Sequence, residues 1–390
     1  MAGYVLYLII ALASCFVASR VSDREGYVMA DRIRLSIIFW ILFMPSALRI
    51  YTGNDYRTYI YHFHDSYRDI FVVTEAGFNA VAKYVYSFLD EEYFLVLFAL
   101  FAFVTILFFL KAMYEQSCDF GMSFMLFMAY GLYFQTYNTV RYYMALAIVF
   151  YALRFVRDRQ YVKFLIAVLV AALFHKTAIA VLLIYPVCRM RWTIYHYVII
   201  VTAGISGLIF KSQYMDLFVR LYPSYKNEPE YLASGGMSII NILRVAAVLA
   251  FAVAVLIFSG KEQQKNEAVG FYFRMNVAAL VLYLCFSFVP FLSRLGYYLI
   301  ISQVLLIPEL IKMSEGIKIK NIKFNIKKVL VAGVTFCAAV YFAMFMYKAT
   351  AENVKILPYS TWLTYDNEDM KGYPEMEQYI LIREDESQGL

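Results

Sequence analysis

Charge is scarce in this sequence. Only 16% of its 390 residues are Asp, Glu, Lys or Arg while 62% are hydrophobic, and mean hydropathy is +0.61. Soluble domains carry about 25% charged residues, so the composition excludes that class and points to an integral membrane protein. Strict apolar-polar alternation is missing, which removes a transmembrane barrel. In its place are apolar runs of roughly 17 to 25 residues, long enough for helical spans. No basic residue precedes the first run, Gly3 to Ser19, and four arginines, at 20, 24, 32 and 34, follow it. A secretory signal has the opposite charge order, so this run reads as an uncleaved first helix with its N-terminus outside. The five cysteines (15, 118, 188, 285 and 337) have no metal-ligand spacing and mostly fall in or beside apolar runs, as small apolar filler does. No internal repeat is visible, nor an inverted pair of Gly/Pro-broken spans of the kind that marks many transporters. Nothing supports nucleic-acid binding. The net charge of +6 says little, because in a membrane protein the side on which charge sits matters more than its total.

Apolar spans fall near 3–19, 33–48, 93–112, 121–134, 140–156, 162–174, 177–187, 195–210, 238–258, 269–291, 293–312 and 329–347. The region 162–187 is interrupted by His175-Lys176-Thr177 and crosses either once or twice. If it crosses twice, the loops around 20–34, 111–120, 154–163, 188–194, 259–268 and 312–328 share one side and hold 19 of the 35 Lys and Arg, as short cytoplasmic loops do. A single crossing moves every later loop to the other side and pushes the lysine-rich segment Lys312 to Lys328 outside. The hairpin with its turn at His175 fits better, a broken or re-entrant helix lining a cavity being the alternative.

The expected fold is therefore all-α: a polytopic transmembrane helical bundle of about 11–12 spans, forming a single integral membrane domain over 1–390. Its external parts are the loops at about 49–92 and 211–237, the short segments 135–141, 175–177 and 290–294, the last of these a tight turn, and the tail 348–390. Within the first loop, Phe78, Val81, Val85 and Phe88 recur at helical spacing opposite Asn79, Lys83, Ser87 and Asp90, the pattern of an amphipathic helix lying in the interface. The segment from Tyr214 to Met237 carries Pro223, Pro229 and Gly235-Gly236 and reads as a loop.

A charged side chain at membrane depth costs at least a few kcal/mol unless it faces a protein cavity or finds a partner. Arg141 follows Asn138-Thr139 at the outer start of a span, where Asn or Thr can cap the helix and exposed amides attract anions. Its planar fork of donors fits phosphate oxygens in pairs; the plainer reading is an arginine snorkelling to lipid phosphates. Arg244 lies several residues inside the span 238–258, and Arg294 lies in the turn VPFLSRLGYY. Together with Arg49 and Arg57 these cations suggest a site for a strongly anionic group such as a lipid-linked diphosphate. His175, at the tip of an apolar hairpin, titrates near neutral pH and suits a general base, or else merely hydrogen-bonds across helices. Asp55 in Gly53-Asn54-Asp55-Tyr56 is a second base, a sugar-binding carboxylate or a turn residue. His62, His64 and Asp65 are too few for a metal site, so no metal and no cofactor is expected. The 36 tyrosines and 34 phenylalanines suit interfacial belts, core packing and stacking on sugar rings.

Asp55, Arg57, Asn138, Arg141, His175 and Arg294 lie in stretches that resemble the EpsG/Wzy-type family of exopolysaccharide and O-antigen polymerases: GNDYRTY, NTVRYYMALAIVFYAL with the basic RDRQYVKF after it, LFHKTAIAVLLIYP, SRLGYYL and LPYSTW, in that order along most of the chain. The family often has glutamine after the arginine, where this chain has Tyr142. The resemblance implies a GT-C-like, metal-independent glycosyltransferase of the inner (plasma) membrane of bacteria, with its active site facing the periplasm or exterior. It would join oligosaccharide repeat units linked to undecaprenyl diphosphate, with membrane lipids and a chain-length regulator protein as partners. The expected roles are His175 and Asp55 as catalytic groups, Arg141, Arg244 and Arg294 as diphosphate clamps, and Asn138, Tyr142 and Arg57 on the acceptor side. Rival readings are a flippase or transporter of lipid-linked glycans, an O-acyltransferase and an O-antigen-ligase-like transferase; a ligase would use the same chemistry. For orientation, Lys176→Cys in a cysteine-free background reacts with an impermeant maleimide applied to intact cells, and Lys320→Cys reacts only after permeabilisation; the reverse pattern overturns the topology.

Overall fold

Lipid offers no hydrogen bonds, so apolar runs of this kind satisfy their backbone internally, as helices. The protein, seen in a computed structural model, is described over residues 2–22, 28–68, 75–90, 93–221, 239–260, 265–286, 290–316, 325–351 and 354–364. In order the helices are α1 (Ala2–Ala18), α2 (Val28–Leu48), α3 (Tyr56–Tyr67), α4 (Ala76–Leu89), α5 (Phe94–Gln116), α6 (Phe120–Ala129), α7 (Leu132–Gln135), α8 (Val140–Arg157), α9 (Tyr161–Ala172), a 3-10 turn (Lys176–Ala180), α10 (Val181–Arg189), α11 (Ile194–Ile209) and α12 (Lys211–Leu221). They continue as α13 (Ile239–Phe258), α14 (Glu267–Cys285), α15 (Pro290–Ile300), α16 (Gln303–Met313) and α17 (Ile326–Tyr347). The strands among the described residues are β1 (Arg49–Ile50) and β2 (Ser360–Thr361), paired antiparallel with Arg49 opposite Thr361.

Each apolar run of the sequence lies largely on a helix. Five stretches are long and apolar enough to cross a bilayer, Phe94–Gln116, Ile239–Phe258, Glu267–Cys285, Arg294–Met313 and Ile326–Tyr347, and α11 with the start of α12 makes a sixth if that pair, bent by 88°, is one span. The other runs form helices that are short, such as α6 and α9, or that carry three charges, as α2 does with Asp31, Arg32 and Arg34. Phe336 is 69% and Ile257 68% exposed, a surface that only lipid or a partner tolerates. Inside, α8 is buried along nearly its whole length. Asn276 donates to Ser302 Oγ at 3.0 Å and accepts from Gln303 Nε2 at 2.8 Å, tying α14 to α16 where no water competes.

The chain reverses at His175. Phe164 on α9 stacks on Tyr185 of α10 with ring centroids 5.7 Å apart, a pairing that two residues 21 apart achieve only if the chain turns back midway. The same end of the bundle holds the β1–β2 pair and its surroundings, where Gly53 N–H donates to Lys355 O at 2.9 Å and Tyr359 donates to Pro45 O at 3.0 Å. At the opposite end are ion pairs of Glu115 with Arg154, Glu267 with Arg189 at 2.6 Å and Glu315 with Lys327 at 2.6 Å.

Three local expectations change. Arg294 is not in a tight turn; it lies in the helix that starts at Pro290, a residue pre-set for a first helical position. Helix α12 runs on to Leu221, where a loop was expected from Tyr214. Pro223, Pro229 and Gly235-Gly236 lie outside the described residues, as do parts of the lysine-rich segment and of the tail. In α4 Phe78, Ala82 and Tyr86 are buried and Val81 and Val85 pack half-buried on the same core, so of the expected apolar face only Phe88, 87% exposed, turns outward. With Phe164→Cys and Tyr185→Cys together in a cysteine-free background, a short bis-methanethiosulfonate reagent links the two positions within one chain; no linkage refutes the reversal.

Candidate active site

The site is built where α8 begins. Thr139 occupies the N-cap of α8 but makes no side-chain cap hydrogen bond, and Asn138 turns away from the helix: its Oδ1 accepts from Asn54 N–H at 2.9 Å. That bond lays the Gly53-Asn54-Asp55 turn against the α7–α8 junction. Gly53 has φ of 110°, and a Cβ there would lie 2.2 Å from Tyr137 O. Only glycine meets both demands. The turn delivers Asp55 to a cavity of about 270 Å³ lined also by Asn138, Tyr142, Tyr143 and Arg294, close to the lower end of small-ligand sites at about 300 Å³.

Another part of the lining comes from α15. Arg294 and Tyr297 line the cavity, and Tyr142 donates to Arg294 O at 2.6 Å, coupling α8 to that helix. Gln135 completes the floor, its Oε1 accepting from Tyr143 at 2.5 Å. Burial pushes the Asp55 carboxyl above its ordinary value, with the charges of Arg294 and Arg141 holding part of that rise back. A buried carboxylate so placed is a better proton acceptor than a solvated one.

A second polar layer lies behind Tyr142. The His175 ring stands edge-on to the Tyr142 ring at 5.2 Å and is 7% exposed. Its Nδ1 lies 3.4 Å from Glu75 Oε1, long for a hydrogen bond. Glu75 Oε2 takes Arg141 Nη1 at 2.6 Å, and Glu75 Oε1 accepts the Lys176 backbone N–H at 3.3 Å. The Arg141 guanidinium also rests over two rings of the α3–α4 hairpin, Tyr59 at 5.6 Å and Phe78 at 5.1 Å. Burial alone would raise the Glu75 carboxyl; contact with His175 and the Arg141 charge outweigh it and hold it at about 2. Burial lowers the His175 imidazole from its usual 6.5, partly opposed by Glu75, so the ring is neutral at pH 7.

The residues singled out in the sequence thus fall into three groups. Asp55, Asn138, Tyr142 and Arg294 line one cavity. Arg141 and His175 stand one layer behind it. Arg244 is apart, in a tyrosine cage: Nη1 donates to Tyr341 at 2.9 Å and the guanidinium lies 4.4 Å from the Tyr130 ring centre. A relay of hydrogen bonds from Tyr341 through Asn241 reaches Tyr297 of the cavity, at 3.1 and 3.4 Å. Arg57 is exposed, stacked over Tyr51 at 5.2 Å. Arg49 is 2% exposed, donates to Ser46 O and sits 5.0 Å over both Phe98 and Tyr137, inside the core. Among the described residues no three or more His, Cys, Asp or Glu group as a metal site would.

Sequence reasoning missed Glu75, Gln135, Tyr143 and Tyr297. Glu75 had one signal, an acid directly before an amphipathic helix, as favoured at a helix start; the others are polar or aromatic residues among many.

The fold and site define a multi-pass helical membrane protein with a polar cavity framed by a carboxylate and a guanidinium. Residues 32–361 match the EpsG family, and the chain belongs to it, which gives it a role of polysaccharide-polymerase type. No curated protein and no solved structure matches this chain. Gly53→Ala is expected to destabilise the protein by about 1–3 kcal/mol through forced backbone strain, seen as a lower unfolding midpoint in detergent; an unchanged midpoint refutes the tight turn.

Proposed function

We propose that this protein polymerises oligosaccharide repeat units carried on undecaprenyl diphosphate, at the outer face of the plasma membrane. The observation that carries this reading is the placement of Asp55 and Arg294 on one cavity, at the end of the bundle away from the basic loops. The acceptor sugar hydroxyl gives its proton to Asp55 as its oxygen bonds to the anomeric carbon of the growing chain. The bond from that carbon to the diphosphate breaks, and the electron pair leaves on the diphosphate oxygen. Arg294 stabilises the charge that builds there, in a cleft where fixed donors need no reorganisation. Asn138 and Tyr142 contact the acceptor sugar, and Arg244 supports the diphosphate side through Tyr341, Asn241 and Tyr297. Holding both lipid-linked chains side by side supplies the proximity term.

This reading moves two assignments. Arg141 already gives its charge to Glu75 and its face to Tyr59 and Phe78, so it holds the hairpin in place and does not clamp phosphate. His175, behind the Tyr142 ring, is a positioning residue; Asp55 is the base.

The test uses the full-length protein in proteoliposomes, fed its lipid-linked repeat unit, with products resolved as a glycan ladder. Asp55→Asn lowers the rate by about 10²–10⁴-fold, and Arg294→Ala by about 10²–10³-fold. Because the Asp55 carboxyl is raised, its base form is lost as pH falls through a value above 3.8, so the acid limb of the wild-type rate profile lies above that point. Normal ladders from Asp55→Asn, or transfer of a single finished chain to a different acceptor, would defeat the assignment.

A further inference from the structure

Asn138 is held by one end of its amide and lends the other to the cavity. Its Oδ1 accepts from the Asn54 backbone N–H at 2.9 Å, and a backbone N–H can only donate, so that bond fixes which way the amide points. Nδ2, with two protons to give, makes no hydrogen bond among the described residues, although Asn138 lines the cavity. The cavity therefore holds a donor whose orientation is set before any substrate arrives. Its polar neighbours in the lining differ. The Tyr142 hydroxyl is spent on Arg294 O at 2.6 Å and the Tyr143 hydroxyl on Gln135 Oε1 at 2.5 Å, which leaves their rings to face a ligand. Among the described residues no hydrogen bond fixes the side chain of Asn54 or Thr139.

Asp55 follows Asn54 directly, in the turn that Gly53 permits. Consecutive Cα atoms are about 3.8 Å apart, so the carboxylate is one residue away from the bond that holds Asn138, and both side chains line the same 270 Å³. Asp55 occupies the N-cap position of α3 without a side-chain cap hydrogen bond; its carboxylate is not spent on its own helix. An acceptor and a donor in this relation match two neighbouring hydroxyls of a sugar ring, since each hydroxyl can give one proton and accept another. The hydroxyl that gives its proton to Asp55 is the nucleophile. A donor placed on that same oxygen would tie up the electron pair that has to attack, so the amide belongs on the adjacent one. We infer that Asn138 is a specificity-determining residue: Nδ2 donates to the hydroxyl next to the attacking one, and the acceptor is a sugar with a free hydroxyl at that position. An acceptor lacking it leaves the amide unpaired and is rejected. This deepens the polymerase reading and rests on Asp55 being the base.

The experiment uses full-length protein in proteoliposomes. Linkage analysis of the polymer made by the producing cells identifies the attacked hydroxyl. Synthetic copies of their lipid-linked repeat unit are then supplied complete or lacking one hydroxyl beside the attacked position, and kcat/KM is read from the ladders. Wild-type protein uses one of these deoxy units about 10–100-fold less well than the complete unit. Asn138→Asp keeps an oxygen for the Asn54 N–H and replaces the donor by an acceptor. It loses a similar factor on the complete unit and treats complete and deoxy units alike, while its unfolding midpoint in detergent stays at the wild-type value. A residue that only pinned the turn would leave this variant as selective as wild type. Asn138→Ala drops the pin as well, so its midpoint falls and its selectivity is also lost; it decides the matter should Asn138→Asp fail to insert. Wild-type protein indifferent to every deoxy unit, or an inserted Asn138 variant that still prefers the complete unit, overturns the proposal. Wild-type protein that makes no polymer from the complete unit, or normal ladders from Asp55→Asn, defeats instead the functional reading beneath it.

Discussion

A guanidinium at membrane depth must be neutralised or enclosed, because transfer into hydrocarbon costs at least a few kcal/mol, and the way this protein meets that constraint organises the end of the bundle where its cavity lies. Arg141 is neutralised by Glu75. Arg244 is enclosed by Tyr130 and Tyr341. Arg49 is enclosed by Phe98 and Tyr137 and donates to Ser46 O. Arg294 alone of this group lines the cavity. Glu75 and Arg141 are half-buried, so removing either one strands the other charge in a poorly hydrated place. The hairpin of α3 and α4 is therefore held to α8 and to the turn at His175 by electrostatics as well as by ring packing.

That attachment links fold to chemistry. The hairpin brings Asp55 to the cavity from one side while α15 brings Arg294 from the other, with Tyr142 of α8 bonded to the α15 backbone between them. In the reaction proposed above, these two residues would serve as base and as anion-stabilising group for a diphosphate leaving group. The aromatic rings have a double use. They pack the core, as Phe63 on Phe78 at 4.9 Å, and they cover the guanidinium groups of Arg49 and Arg244.

Much of this was legible before any coordinates. The apolar runs locate the helices, the distribution of Lys and Arg groups the loops into two sets, and the stretch Gln135 to Arg191 stands out because it places Arg141 and His175 where lipid-facing sequence does not tolerate them. Asp55, Asn138 and Arg294 stand out from local cues and Tyr142 from the family resemblance, and all four line one cavity. What local cues missed is the partner relation. Glu75 is an unremarkable acid in a loop until α4 folds back on α3, and Arg49, Arg141, Arg244 and Arg294 are indistinguishable as isolated basic residues.

The amino-acid sequence by itself determined the class of protein, its helical character and the residue types that gather at one end, because hydropathy and charge act locally along the chain and need no partner to be read. Only the tertiary structure decided which cation faces the cavity and which is silenced, that Phe88 of α4 turns outward, and that Asp55 stands in front of Tyr142 with His175 behind it. Those outcomes depend on distances between segments far apart in sequence, and a side chain's charge has a chemical meaning only once its neighbours are set.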